Sequence, residues 1–435
     1  MTVHTAVGEK ATGLPEAEQQ PGRSAPANRP VHAPMVQWPV VDDCLVVGGM
    51  PLTRLAQRVG RTPFYAYDRR LVTERVALLR HHLPAQVKLH YAIKANPMPA
   101  VVSHLAGLVD GLDVASVAEM NVALDTGMTP QEISFAGPGK ADTELAQAVA
   151  AGILINVESA REISVLGRLS REMRIAARVA VRVNPDFELK SSGMKMGGGP
   201  KQFGIDAESV PEALDAIGRN GLAFEGFHIF GGSQNLKAEA ICETQRKTIE
   251  LAVRLARSAP GPVQVLNIGG GFGIPYFPGE RPLDLSPIGE NLRTVVAEAK
   301  AGLPNAAIVI ELGRYLIGEA GIYVCRVIDR KVSRGEVFLV TDGGLHHHLA
   351  ASGNFGQVVR KNYPVYVGNH VSQGARRNVS VVGPLCTPLD LLADRMEMAD
   401  AQPGDLVVVF QSGAYGATAS PQNFLSHPMC AEVLV

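Results

Sequence analysis

Residues 87–136 read VKLHYAIKANPMPAVVSHLAGLVDGLDVASVAEMNVALDTGMTPQEISFA, and the fold is decided there. Three short apolar runs, at 87–93, 112–115 and 133–136, alternate with stretches at 100–108 and 117–125 in which apolar side chains recur at three and four residues. Strand-length runs alternating with a helical period are the pattern of βα units, whose parallel strands need a crossover helix. The alternation continues through runs at 153–157, 180–183, 224–230, 263–268 and 307–311, with a long helical stretch at 236–257. Eight strands with crossover helices predict a closed parallel (β/α)8 barrel of the TIM type, an α/β fold.

Beyond residue 311 the character changes: runs at 322–328, 336–340, 378–382 and 405–410 are strand-like, with Gly and Pro punctuation and little helical period. Residues 316–435 are therefore expected to form a C-terminal β-rich domain. Strand-like residues 37–47 precede the barrel, so 35–61 is expected to add N-terminal strands to that domain, leaving 62–315 for the barrel. A length of 435 residues accommodates both, since a barrel takes about 250 residues. Residues 1–34 carry Glu9, Glu16 and Glu18 among Ala, Pro and Gln, with no apolar core for a signal peptide, and read as a disordered tail.

Charged residues are 19% of the chain and the formal net charge is -1, so nothing favours a nucleic-acid partner, which calls for a concentrated basic face. No run approaches the roughly 18 apolar residues that a membrane span requires. The five cysteines, Cys44, Cys242, Cys325, Cys386 and Cys430, are odd in number and lack any Cys-x-x-Cys pair, which argues against a disulfide framework or a structural metal site. A cytoplasmic protein acting on a small molecule or a protein-bound substrate is the expectation.

Barrel enzymes place reactive groups at the C-terminal ends of their strands. The first run ends in Tyr91-Ala92-Ile93-Lys94-Ala95-Asn96-Pro97, with a lysine closing an apolar strand. Such a lysine suits imine formation with an aldehyde cofactor, since desolvation lowers its pKa; a strand-end lysine reaching solvent is the plainer reading. The seventh run enters Asn267-Ile268-Gly269-Gly270-Gly271-Phe272-Gly273, whose unhindered backbone N–H groups can approach a phosphate; a tight turn is the plainer reading. Pro275 and Pro278 follow too soon for the helix that a dinucleotide-binding glycine motif would open. The eighth run ends in Glu311-Leu312-Gly313-Arg314-Tyr315, offering a carboxylate for a protonated pyridine nitrogen and an arginine for an anion, or else a surface ion pair. In the sixth, His228 and Phe230 sit two apart, on one face, before Gly231-Gly232-Ser233. A planar side chain there could lie on a cofactor ring and Ser233 could donate to phosphate, although a lone strand histidine is more often a core residue. Gly383-Pro384-Leu385-Cys386-Thr387-Pro388 and Ser412-Gly413-Ala414-Tyr415-Gly416 hold a thiol and a phenol in turn-rich segments, where either could be structural.

Together, in this order, these segments resemble the fold-type III pyridoxal phosphate (PLP) decarboxylases of ornithine, arginine and diaminopimelate, over nearly everything from Thr62 to Val435. The resemblance implies an alanine racemase-like barrel in which Lys94 carries PLP covalently and Glu311 pairs with the pyridinium nitrogen. It implies that Gly269, Gly270, Gly271, Ser233, Arg314 and Tyr415 hold the phosphate, and that Asp113 and Arg182 support the cofactor. Cys386 looks like the acid that protonates Cα, and Asp342 like a substrate-pocket residue. The family completes its sites across a head-to-tail homodimer, so Cys386 and Tyr415 are expected to serve the neighbouring subunit's Lys94.

Two departures bear on substrate. Where diaminopimelate decarboxylases have a second histidine stacking on the ring, this chain has Phe230, leaving the role open between it and His228. Where relatives acting on diamino substrates carry Glu or Asp after the cysteine, this chain has Thr387. The family's arginine-proline-x-x-tyrosine element is also missing, Arg360 and Tyr363 being its nearest candidates. Segments 194–198, 201–204, 344–348 and 385–388 are similar to a secondary-metabolism subgroup that includes a glutamyl-[acyl-carrier protein] decarboxylase and exosortase-associated decarboxylases. The implied substrate is an amino acid, either free or as an aminoacyl group on a carrier protein. The rivals are a free diaminopimelate decarboxylase, an amino-acid racemase, which needs an acid or base on each face of Cα, and a noncatalytic decarboxylase-like binding protein.

Overall fold

The computed structural model of the chain describes residues 30–187, 194–195, 197–357 and 360–435. Eight parallel strands form the barrel: Val87–Ala92, Gly111–Val114, Ile133–Phe135, Leu154–Val157, Arg178–Asn184, Ala223–Ile229, Val265–Gly270 and Ala307–Leu312. Each pairs with the next, the first with the last, and all eight expected runs are among them within a few residues. Outward-facing Leu89 and Tyr91 of the first strand are fully buried, while His90 and Ala92 alternate with them toward the barrel interior.

Local signals place several of the crossover helices. Helix Val117–Asp125 begins with Ser116 accepting the Glu119 N–H while Glu119 accepts the Ala115 N–H. Helix Ala160–Met173 repeats the device with Ser159 and Glu162. In each, two N–H groups that the first helical turn leaves unpaired are satisfied, which sets where the chain turns as it leaves the barrel mouth.

The second domain is a mixed sheet running Val365–Val367, Leu406–Val409, Gly321–Ser333, Glu336–Thr341, Arg376–Val382, Leu391–Ala399. The domain boundaries differ from the expectation in two places. Phe64–Tyr67, expected in the barrel, is a strand of this sheet: it pairs antiparallel with Gly321–Val324 and parallel with Ala431–Leu434. Its four buried side chains fit a central strand covered on both faces, which carries no alternation to announce itself. Val40–Val41, Cys44–Val47 and Met50–Pro51 form a separate three-stranded sheet, joined to the larger domain by the Leu45 N–H to Gly368 O and the Val371 N–H to Asp43 O bonds. The expected tail lies mostly outside the described residues; its described end docks, with Val31 O accepting the Gly279 N–H and His32 within 2.8 Å of Asn362 O. All five cysteines are free, and no helix among the described residues is long and apolar enough to cross a membrane.

The two domains meet at the barrel mouth. Asn96 donates to Gly413 O at 2.9 Å, the Tyr415 N–H to Ala95 O at 2.8 Å and Gln411 to Pro275 O at 3.0 Å.

Candidate active site

Lys94 sits in a 3-10 turn, Ile93–Ala95, that follows the first barrel strand directly. Ile93 and Ala95 are buried and anchor the turn, and the Lys94 side chain stays 46% accessible although protein surrounds it. Its Nζ donates to Glu311 Oε1 at 3.3 Å. Glu311 Oε2 accepts from Asn267 Nδ2 at 3.3 Å and lies 3.3 Å from His228 Nε2, while Asn267 Oδ1 accepts the Gly269 N–H at 2.8 Å. Strand register aligns part of this set: Arg182 is level with His228, His228 with Asn267, and Glu311 with His90 and Gly270.

Burial alone would raise the Glu311 carboxyl, but Lys94 and His228 hold it far below the usual carboxylate range. The same pair reverses one expectation. Glu311 holds the Lys94 ammonium above its ordinary value, outweighing the desolvation that the sequence reading invoked, because a carboxylate 3.3 Å away favours the charged amine more than burial disfavours it.

The glycine run packs against the loop that follows the sixth strand. Gly269 and Gly271 have φ of +66° and +69°, and a Cβ on Gly271 would stand 2.1 Å from Gly232 O, so two loops approach backbone to backbone. They are laced together: the Asn235 N–H donates to Gly271 O at 2.9 Å, the Gly273 N–H to Asn235 O at 2.8 Å, and Gln234 Nε2 to Ile274 O at 2.6 Å. Ser233 lies on the second loop, in the short strand Gly232–Ser233 that pairs with Met194–Lys195. Arg314 donates to Tyr276 Oη at 2.8 Å, with its guanidinium 4.7 Å over the Tyr415 ring. Asn235, Gln234 and Tyr276 were missed from sequence; Tyr276 stood in a segment read only for its prolines.

His228 and Phe230 prove to be in different places. The strand ends at Ile229, so His228 points at Glu311 from inside the barrel, and the Phe230 ring lies against Gly269, where a Cβ would approach it to 2.5 Å. Apart from the Glu311 contact of Nε2, the ring nitrogens of the buried His228 have no partner among the described residues.

Asp113 and Arg182 each belong to a buried network. Asp113 accepts from Ser134 Oγ and lies 3.3 Å from His90 Nδ1; burial would lower the His90 pKa, and Asp113 raises it above the ordinary value. Arg182 donates to Glu158 Oε1 at 2.8 Å and packs 5.0 Å over Phe203, and Glu158 also accepts the Gly137 and Gly204 N–H groups. Lys140, 3.1 Å from Glu162, completes the cluster, with burial lowering its pKa. Nothing in the local sequence pattern around Lys140 or Glu158 signals this convergence, which comes from neighbouring strand ends.

Tyr415 corrects the expected division between subunits: its N–H bond to Ala95 O and its contact with Arg314 put it beside its own chain's Lys94. The reason is the docking of segment 411–416 onto the barrel mouth. Cys386 and Thr387 lie elsewhere, on a turn where Cys386 is exposed, and neither makes a hydrogen bond to the Lys94 cluster among the described residues. Asp342 is committed inside the β domain: Oδ1 accepts the Arg326 N–H at 2.8 Å and Oδ2 accepts from Thr62 Oγ1.

The arrangement offers an amine, a buried carboxylate and a glycine-rich loop at the C-terminal ends of the barrel strands. Residues 69–318 match the family described as pyridoxal-dependent decarboxylase, pyridoxal binding domain. The chain is 39% identical to the L-glutamyl-[BtrI acyl-carrier protein] decarboxylase of Niallia circulans, covering 88% of this chain and 90% of that protein. It is 32% identical to the diaminopimelate decarboxylase of Aquifex aeolicus, covering 91% of each. Among solved structures, the Helicobacter pylori diaminopimelate decarboxylase complexed with L-lysine superposes with a TM-score of 0.77 at 26% identity, over 88% of this chain and 94% of that one.

Proposed function

Because the chain belongs to the pyridoxal-dependent decarboxylases, we propose that it removes the α-carboxylate of a glutamyl group carried on an acyl-carrier protein rather than that of a free diamino acid. The residues present fit the cofactor: a lysine at the mouth, a buried carboxylate 3.3 Å from it, and a glycine loop at positive φ packed so closely on Gly232 that its backbone N–H groups carry no side chain in front of them. When bound, PLP supplies an electron sink conjugated to Cα. Lys94 would hold it covalently, and the charged Glu311 would keep a proton on the ring nitrogen. His228, held with its Nε2 3.3 Å from Glu311 Oε2, would lie against the ring. Gly269, Gly270, Gly271, Ser233 and Arg314 would hold the phosphate, with Tyr415 braced under Arg314 and Phe230 behind Gly269. Asp113 and Arg182, each fixed by buried partners, would support the ring from the adjacent strands.

Cys386 Sγ would deliver a proton to Cα after the carboxylate leaves. Its exposed turn makes no bond to its own Lys94 cluster, which favours a homodimer in which the thiol reaches the second copy's site.

The observation that carries the substrate choice is Thr387 beside Cys386, with Asp342 already committed to Arg326 and Thr62. A distal ammonium entering there would be desolvated without a carboxylate, at a cost of several kcal/mol. A thioester-linked distal end avoids that cost, as the first of the relatives above would handle it.

The test is CO2 release from carrier-bound glutamate, free glutamate, meso-diaminopimelate, ornithine and lysine on one holoenzyme preparation. Carrier-bound glutamate should have the highest kcat/KM, and Thr387→Glu should raise kcat/KM for ornithine by at least about tenfold. Efficient turnover of free diaminopimelate by the unaltered enzyme would replace this reading with the diamino-acid one.

A further inference from the structure

Asp390 stands four residues beyond Cys386 and is 3% exposed. Its Oδ1 accepts the Leu345 N–H at 2.5 Å and its Oδ2 accepts the Leu385 N–H at 2.8 Å. One carboxylate thus joins the residue immediately before the thiol to the segment that follows Gly344. Backbone bonds close the turn around it: Thr387 N–H to Leu385 O at 2.8 Å, Asp390 N–H to Thr387 O at 3.2 Å and Gly383 N–H to Asp390 O at 3.2 Å.

The side chain is held from both sides. A Cβ on Gly344 would come within 2.1 Å of Oδ1, and one on Gly383 within 2.4 Å of Oδ2, so glycine is required at both positions for the carboxylate to lie where it does. Among the described residues no lysine or arginine pairs with it. Burial raises the Asp390 carboxyl, against the two N–H donors that favour its charged form. A buried carboxylate with no lysine or arginine partner is a costly way to secure a loop, and a neutral side chain would serve if only bulk were needed. What a carboxylate adds is two acceptors in one plane, which an amide cannot supply.

We propose that Asp390 is the positioning residue for Cys386, clamping its turn onto the segment after Gly344 so that the thiol is presented at one place and angle. The proposal rests on the reading of Cys386 as the proton donor to Cα. Small displacements of a reacting group are expensive, on the order of a hundredfold per ångström.

The experiment compares wild type, Asp390→Asn, Cys386→Ala and the double variant as holoenzymes, with two readouts. The first is steady-state decarboxylation of the best substrate found above. The second, independent of turnover, is the rate at which iodoacetamide alkylates Cys386, followed by peptide mapping to separate it from the other four cysteines. Asp390→Asn should lower kcat roughly ten- to a hundredfold with KM within about twofold. It should change the Cys386 alkylation rate several-fold and leave the cofactor absorbance intact. In the Cys386→Ala background it should cost nothing further, since a residue acting through the thiol has nothing left to position. Gly383→Ala, which displaces the same carboxylate, should reproduce the effect, so misfolding of one variant does not decide the matter. An equal loss in both backgrounds, or unchanged alkylation in both variants, overturns the proposal. If Cys386→Ala alone turns over like wild type, the proton-donor reading has failed, and that arm identifies it separately from any result at Asp390.

Discussion

At the scale of single residues, the site turns on one ion pair. Lys94 and Glu311 are 3.3 Å apart, and each holds the other charged. Covalent attachment of PLP needs a neutral amine, so Glu311→Gln, by removing the largest influence on Lys94, should let attachment proceed at lower pH. The expected outcome is a downward shift in the pH at which borohydride traps half of the maximal PLP on Lys94, with turnover falling about a hundredfold or more because the ring loses its charged partner. Peptide mapping checks the site of attachment, and a profile that does not move would show that Glu311 does not control the amine. Lys94, Glu311 and the glycines were legible in sequence because each ends a strand at the barrel mouth, where period-two alternation already says which way a side chain faces. Tyr276 and Asn235 were not, since irregular loops carry no period.

At the scale of elements, the proposed phosphate site depends on two loops meeting backbone to backbone. Gly271 has φ of +69° and its Cα hydrogen occupies the space nearest Gly232 O. Gly271→Ala must therefore strain φ and part the loops, breaking the bonds from the Asn235 and Gly273 N–H groups. The strain is worth about 1–3 kcal/mol. Apparent PLP affinity, followed by fluorescence titration of the apoprotein, should fall at least about tenfold. An affinity within twofold of wild type would remove the glycine loop from the phosphate site. The eight barrel strands were readable because each buried run is bounded by turn residues and followed by a helical period. Strands such as Leu391–Ala399 and Ala431–Leu434 were overlooked, because in a mixed sheet pairing partners come from distant sequence and short runs lack a partner in view.

At the scale of the whole molecule, the buried histidine run at 346–348 should make the stability of the fold depend on pH. All three rings are buried, and His346 and His348 are pushed down to about 3, chiefly by burial. In the unfolded chain each titrates near 6.5. Their folded values are depressed, so the unfolded chain takes up protons that the fold refuses: stability is intact above 6.5 and is lost as pH falls from there toward 3. Between pH 7 and 5 the loss is on the order of 2 kcal/mol per histidine. The melting temperature should therefore fall over that interval, and His346→Phe should flatten the dependence. A melting temperature equal at pH 5 and 7 would mean that these rings are not held neutral.

The sequence by itself determined the barrel, the existence of a second β domain and the strand-end positions of Lys94 and Glu311, because periodicity and strand-end position are properties of contiguous residues. Only the tertiary structure decided that Phe64–Tyr67 joins the β domain, that Tyr415 stands by its own chain's Lys94, that Asp342 is spent inside its domain, and that Asp390 grips the cysteine turn. Each of these is a contact between segments far apart in the chain, made when the second domain docks on the barrel mouth or closes on itself, and no local pattern encodes which surface a distant loop will meet.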